Sequence, residues 1–264
     1  MWLAKALRQA LIASTLAFAS TAAAEVPANA EPESPTVVLV HGAFADPTSW
    51  NGVAEELRAD GYRVIVPDNP LRGPAYDAAA VERVLADIDG PVVLVGHSYG
   101  GTVITNVDAA NVTDLVYVAA FAPQEGEPSQ LALDPFRFPG SRLLPPALAV
   151  KPASDGPGLD TYVAPAYFPE VFAQDLDPAT AADMAARQRS LALTATLEPS
   201  GPTSWSSTPS WYLVSGEDHV IPPASQRFMA QRINAQTSEV PASHAALVSQ
   251  PTVVAAVIAR AAQQ

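Results

Sequence analysis

The sequence predicts an α/β fold: a mainly parallel sheet of about six strands with helices on both faces and an inserted, mostly helical cap. Three features carry that prediction. Short segments that are apolar at every position recur along the chain, helix-patterned stretches alternate with them, and one long Pro-rich segment breaks the alternation. A strand with no polar side is one buried on both faces, as a parallel sheet requires.

The strands are expected at Thr36–Val40, Tyr62–Val66, Pro91–Val95, Leu115–Ala119 and Trp211–Val214, with a weaker one at Thr237–Val240. Helices are expected between them at Trp50–Asp60, Asp77–Asp89, Thr102–Ala110, Pro223–Asn234 and Ala245–Ala262. The core is thus 36–120 together with 211–264. Residues 121–210 carry few strand patterns, and a compact domain does not hold a structureless loop of that length, so they read as the cap. Its one convincing helix is Pro178–Leu193, with Asp177 as N-cap and Pro178 in the first helical position.

The chain starts differently. Lys5 and Arg8 precede an uncharged stretch, Ala10–Ala24, which ends in Ala22-Ala23-Ala24. This is the pattern of a secretory signal peptide, 1–24, and it is too short and too rich in Ala, Ser and Thr for a spanning helix. Residues 25–35 follow as a flexible leader. The expected product is exported, secreted or periplasmic, with no stable membrane anchor. A net charge of −13 argues against nucleic acid and anionic surfaces as partners. With no Cys in the chain, disulfides, thiol catalysis and thiolate metal sites are excluded. Asn111-Val112-Thr113 is a glycosylation acceptor pattern that matters only in a eukaryotic secretory path.

The chemistry centres on Gly96-His97-Ser98-Tyr99-Gly100, which leaves the third strand and opens a helix. A serine there stands clear of the sheet on a sharp turn, and Gly96 and Gly100 let strand and helix approach closely. The hydroxyl is inert unless a base takes its proton. Of four histidines, His41 and His97 come before Ser98, and His219 adjoins the best acid. His244, in the loop after the last strand, is the expected base. His41 reads as a structural hydrogen bonder. The acid is Asp218 or its neighbour Glu217, both just after the fifth strand, and spacing does not separate them. Glu125 and Glu127 read as ordinary charges at the cap entry. An oxyanion needs two fixed N–H donors. Tyr99 supplies one; Ala43, with Phe44 second, supplies the other.

Those residues, together with His41-Gly42-Ala43, Ser49-Trp50, Ala119-Ala120-Phe121-Ala122-Pro123 and Glu217-Asp218-His219-Val220-Ile221-Pro222, resemble an α/β-hydrolase. The chain is similar to the esterase and hydroxynitrile-lyase-like branch, which includes plant methyl-ester hydrolases and bacterial relatives. The resemblance runs from about residue 36 to the end and is weakest in the cap. It implies Asp218 as the acid, because in that branch the triad Asp precedes an x-x-Ile-Pro segment, and it implies Ala43 as the first oxyanion donor. Hydroxynitrile lyases of the branch carry Lys directly after the catalytic His and Thr in place of Gly42; Ala245 and Gly42 stand there instead. Dehalogenases and epoxide hydrolases of the fold use an Asp nucleophile, against which Ser98 argues.

The implied activity is carboxylesterase-like: a serine hydrolase that cleaves a small-molecule carboxylic ester with Ser98, His244 and Asp218, with no metal and no organic cofactor. Lactone or amide hydrolysis is a variant of the same chemistry. A receptor-like protein with slow or no turnover is the alternative from another class. Phe44, Phe136, Phe138, Tyr162, Tyr167, Phe168 and Phe172 are the candidates for an apolar substrate pocket, with packing inside the cap the plainer role for most of them.

Overall fold

The computed structural model describes residues 34–154 and 156–264. The expected signal peptide and nearly all of the leader lie outside the described residues. In chain order, β1 (Thr36–Val40) leads to α1 (Asn51–Ala59), followed by β2 (Val64–Ile65), α2 (Pro74–Leu85), β3 (Val92–His97), α3 (Tyr99–Thr105) and β4 (Val112–Val118). The insertion holds β5 (Leu148–Pro152), β6 (Leu159–Val163), α4 (Phe168–Phe172), α5 (Pro178–Arg187) and β7 (Leu191–Ala192). The chain returns to the core with β8 (Ser210–Ser215), α6 (Pro223–Arg232), β9 (Gln236–Val240), α7 (Ala246–Ser249) and α8 (Pro251–Ala261).

The main sheet has six strands in the order β2-β1-β3-β4-β8-β9, and every pair is parallel. All residues of β1 and β3 are buried. Alternate side chains along β1 face opposite layers. Val37 and Leu39 pack with Trp50, Leu57 and Ile258 under α1 and α8. Val38 and Val40 join the layer under α2 and α3, which continues into Phe168, Val171 and Leu191 of the insertion. Strand order reverses at β1, which has β2 on one side and β3 on the other. Crevices in such sheets open at the carboxyl ends of the strands flanking that reversal, here the Gly42 loop and Ser98.

The insertion departs from the expected helical make-up. It contains a three-stranded antiparallel sheet in the order β5-β6-β7 besides α4 and α5. The expected Pro178–Leu193 helix begins on its Asp177 cap but stops at Arg187. Gln188 turns extended, and its side chain accepts the Val163 N–H (2.9 Å) and donates to the Val163 carbonyl (2.9 Å). The following residues are thereby delivered to β6 as β7. The expected final helix is likewise two helices, because Pro251 starts α8 with no N–H to continue α7.

Candidate active site

Ser98 sits between β3 and α3 at φ 53°, ψ −122°. An L-residue held there costs about 1–3 kcal/mol, which the surroundings must offset. They do so by hydrogen bonds: the Ser98 carbonyl accepts from Gly101 (3.0 Å) and Phe121 (3.1 Å), and its N–H donates to Val118 (3.3 Å). Small neighbours are obligatory. A Cβ on Gly96 would lie 2.5 Å from the Gly100 oxygen, and one on Gly42 would lie 2.6 Å from Ser98 Cβ.

His244 arrives on the loop between β9 and α7. Its Nε2 lies 2.8 Å from Ser98 Oγ and its Nδ1 lies 2.7 Å from Asp218 Oδ2. With a carboxylate as the Nδ1 acceptor, the ring proton sits on Nδ1 and leaves Nε2 free to accept from the serine. Both His244 and Asp218 are buried. Asp218 Oδ1 accepts the N–H groups of Val220 (2.7 Å) and Ile221 (2.9 Å). The base loop is pinned from the insertion, where Asp175 accepts the Ser243 N–H (2.9 Å) and Phe172 accepts that of Ala245 (3.1 Å).

The other titratable candidates lie elsewhere. Glu217 is exposed, and its carbonyl accepts the Gln174 amide. Glu127 pairs with Arg232 at 2.8 Å and Glu125 is exposed. His219 turns away to donate to the Glu170 carbonyl. His41 is buried under the Gly42 loop: its Nδ1 donates to the Gly42 carbonyl (2.9 Å) and its Nε2 accepts the Asn69 N–H (3.1 Å). His97 donates to the His244 carbonyl (2.9 Å), so it supports the base loop from below. Burial lowers the pKa of both His41 and His97. The Asn111 amide donates to the carbonyls of Leu85 and Ile88, so the glycosylation pattern is engaged in the fold.

Among the described residues, the N–H groups of Ala43 and Tyr99 have no hydrogen-bond acceptor, and both residues border the same cavity as Ser98. Phe44, the second choice as donor, is corrected by the structure: its N–H is committed to the Arg189 carbonyl at 3.0 Å.

That cavity has a volume of about 310 Å3. Among the described residues no charged side chain lines it, and its cap side is built largely of leucine, including Leu133, Leu148, Leu191 and Leu193. Of the aromatic pocket candidates only Phe44 lines it. Phe136 is 98% exposed and Tyr167 is also exposed. Phe138 packs against Phe228 with Arg137 over its ring. Tyr162 lies under Lys151, because Thr161 takes the cavity side of β6 and alternation turns Tyr162 away. Phe168 and Phe172 stack at 4.8 Å, and Phe172 meets the His244 ring edge-on at 4.7 Å, so these two pack against the base.

Gln226 was not singled out by the sequence reading. It is buried on α6 and donates to Asp218 Oδ2 (2.7 Å) and the Ile221 carbonyl (2.8 Å), while its own oxygen accepts the Ser215 N–H (3.0 Å). The available signal was its position: Gln226 shares the buried stripe of α6 with Met229 and Ala230, and a polar residue on such a stripe needs buried partners.

A parallel sheet with a strained serine, a histidine and an aspartate in hydrogen-bonded series over its carboxyl end defines the α/β-hydrolase class. The chain belongs to the alpha/beta hydrolase family, whose model matches residues 37–257. It is similar to a carbendazim hydrolyzing esterase of Nocardioides sp. (strain SG-4G), 37% identical over 39% of this chain and 48% of that one. That match spans about half the length of the relative. It is also similar to a pyrethroid hydrolase of Sphingobium wenxiniae, 29% identical over 84% of this chain and 86% of the other. Solved structures share the fold. Polyneuridine aldehyde esterase superposes with a TM-score of 0.74 at 19% identity, over 86% of this chain and 99% of that one. A pyrethroid hydrolase from Sphingobium faniae JZ-2 gives 0.67 at 24% identity, over 87% and 97%.

Proposed function

We propose that this chain hydrolyses uncharged carboxylic esters by two-step acyl transfer at Ser98. The 2.8 Å approach of His244 Nε2 to Ser98 Oγ, with Asp218 behind it, carries the reading. Ser98 Oγ adds to the ester carbonyl carbon as its proton passes to Nε2. The carbonyl oxygen gains the negative charge and is met by the N–H groups of Ala43 and Tyr99. The bond to the alcohol oxygen breaks as His244 hands that oxygen its proton, leaving acyl-Ser98. Water then gives a proton to His244 and its oxygen to the acyl carbon, and the proton returns to Ser98 as the acid departs. Asp218 orients the imidazole and offsets its transient positive charge.

The cavity supports the substrate class. It is roughly twice the ~150 Å3 void that admits benzene in a protein core, so it suits an aryl or branched apolar group on one side of the ester. With no charged side chain among the described residues lining it, it favours an uncharged substrate. The similar proteins, an esterase and a pyrethroid hydrolase, point the same way. Lys5 and Arg8 ahead of the uncharged stretch Ala10–Ala24 support export as the setting in which this activity operates.

The test uses a panel of chromogenic esters and a fluorophosphonate probe on the wild type and Ser98→Ala. Wild type is expected to turn over and to take the label, and the variant to do neither. Equal, slow hydrolysis by both would sink the enzyme reading and favour a receptor.

A further inference from the structure

Asp77 has no part in the scheme above, yet it is a fully buried carboxylate one layer behind the reacting serine. It sits in the first turn of α2 and accepts the Tyr99 hydroxyl (2.8 Å), the Arg72 N–H (3.0 Å to each oxygen) and the Gly73 N–H (3.2 Å). We propose that Asp77 is a positioning residue for the oxyanion site, acting through Tyr99. This inference rests on the serine-hydrolase reading.

Tyr99 carries two functions on one residue. Its backbone N–H is an unpaired donor in the residue that follows Ser98 and borders the cavity, and its side chain reaches Asp77. The strained elbow holds one end of the residue and the Asp77 carboxylate holds the other. An oxyanion donor is effective only when it is aimed before charge develops, and a second anchor restricts its rotation. Burial pushes the Tyr99 phenol pKa up from its ordinary value, and its hydroxyl donates to Asp77. Burial raises the Asp77 pKa as well, while its hydrogen bonds pull it down.

A purely structural tie would not need a carboxylate. Burying one is costly, and an apolar pair of similar volume often packs as well or better. What the carboxylate adds is direction, since it aligns several donors at once. Those donors reach the insertion too. Arg72, whose N–H holds Asp77, also binds Asp160 (2.9 Å) and the Ser190 carbonyl (3.1 Å) through its guanidinium. The loop at 72–73 therefore joins the floor of the insertion to the residue that bears the oxyanion donor.

The test compares wild type, Tyr99→Phe and Asp77→Asn. Tyr99→Phe keeps the ring and the N–H and removes only the tether. Steady-state kinetics on a chromogenic ester are paired with inhibition by a trifluoromethyl ketone, which forms an oxyanion on Ser98. Misplacing one donor is expected to lower kcat by about tenfold to a hundredfold. Ketone affinity should fall by a similar factor, with KM unchanged. A folded Tyr99→Phe with wild-type kcat and ketone affinity overturns the proposal, as does a loss confined to KM. Should Asp77→Asn fail to fold, Tyr99→Phe decides alone. Active wild type and dead Ser98→Ala beside an unaffected Tyr99→Phe sink this inference only, whereas a wild type that turns over nothing and takes no fluorophosphonate sinks both readings.

Discussion

Gln226 donates its side-chain amide to Asp218 Oδ2, the same oxygen that receives the Nδ1–H of His244. With Val220 and Ile221 on Oδ1, the carboxylate is held at both oxygens and its plane is set relative to the imidazole. Gln226→Met keeps the volume and removes both polar ends. The variant is expected to lose about tenfold in kcat, equivalent to ~1.4 kcal/mol, at unchanged KM. It also strands the buried Ser215 N–H, which should cost about 1–3 kcal/mol in unfolding free energy. Steady-state kinetics and denaturant melts check the two effects separately. Wild-type kcat in a destabilised variant would reduce Gln226 to a fold role.

The choice between adjacent carboxylates is sharp. Asp218 is buried against His244, whereas Glu217 is exposed. Asp218→Asn removes the acceptor that sets the imidazole tautomer, and about a 10⁴-fold fall in kcat is expected on the Ser-His-Asp template. Glu217→Gln should stay within about twofold, since exposed substitutions away from such features change little. The reverse order in a kcat comparison would move the acid to Glu217.

These contrasts show what a sequence exposes and what it hides. The central strands of the main sheet were legible because burial on both faces writes an unbroken apolar run, as in Val37-Val38-Leu39-Val40, whereas the polar edge strand β9 showed only weakly. The serine turn was legible because its glycines are dictated by contacts as close as 2.5 Å. The strands of the insertion were not. β5 ends in Lys151-Pro152 and β7 has two residues, so neither shows a readable period. The cavity wall was not legible for a related reason. Phe168 and Phe172 were drawn into packing behind His244, and leucine was left to line the space. Composition names the apolar residues of a segment but not the side each one faces. The Gln226–Asp218 and Asp77–Tyr99 contacts each cross from one element to another at a separation that matches neither the helical nor the strand period, so no local pattern announces them.

Buried neutral histidines contribute to the loss of stability in acid. His97 and His41 have folded-state pKa values lowered by desolvation, so below the unfolded value of 6.5 the unfolded chain binds more protons than the native one. Stability should therefore be flat from these groups above about pH 7 and fall as pH drops, by at most ~1.4 kcal/mol per pH unit for each histidine. Asp77 acts in the opposite sense at lower pH. Its folded pKa is raised, so its burial penalty is relieved as pH falls, in wild type and variant alike. His97→Gln keeps a donor for the His244 carbonyl and does not titrate. Urea melts at neutral and mildly acid pH should show a shallower decline for the variant. Parallel declines would mean that His97 is not among the groups that protonate on unfolding.

The cavity makes a prediction about selectivity that is independent of the triad. Leu148 lines it from β5 and is half-buried, so a larger side chain there grows into the space instead of into the packed core. Leu148→Trp should leave an acetyl ester nearly untouched, because a two-carbon acyl group asks for little of the 310 Å3. An aryl-acyl ester of the same leaving group should lose about tenfold to a hundredfold in kcat/KM, the range that a few methylenes' worth of lost apolar contact supports. The informative quantity is the ratio of the two kcat/KM values, since damage to the reacting groups would lower both and cancel. A ratio that stays at the wild-type value would show that the bulky group lies outside this cavity, and would place the large side of the ester toward solvent.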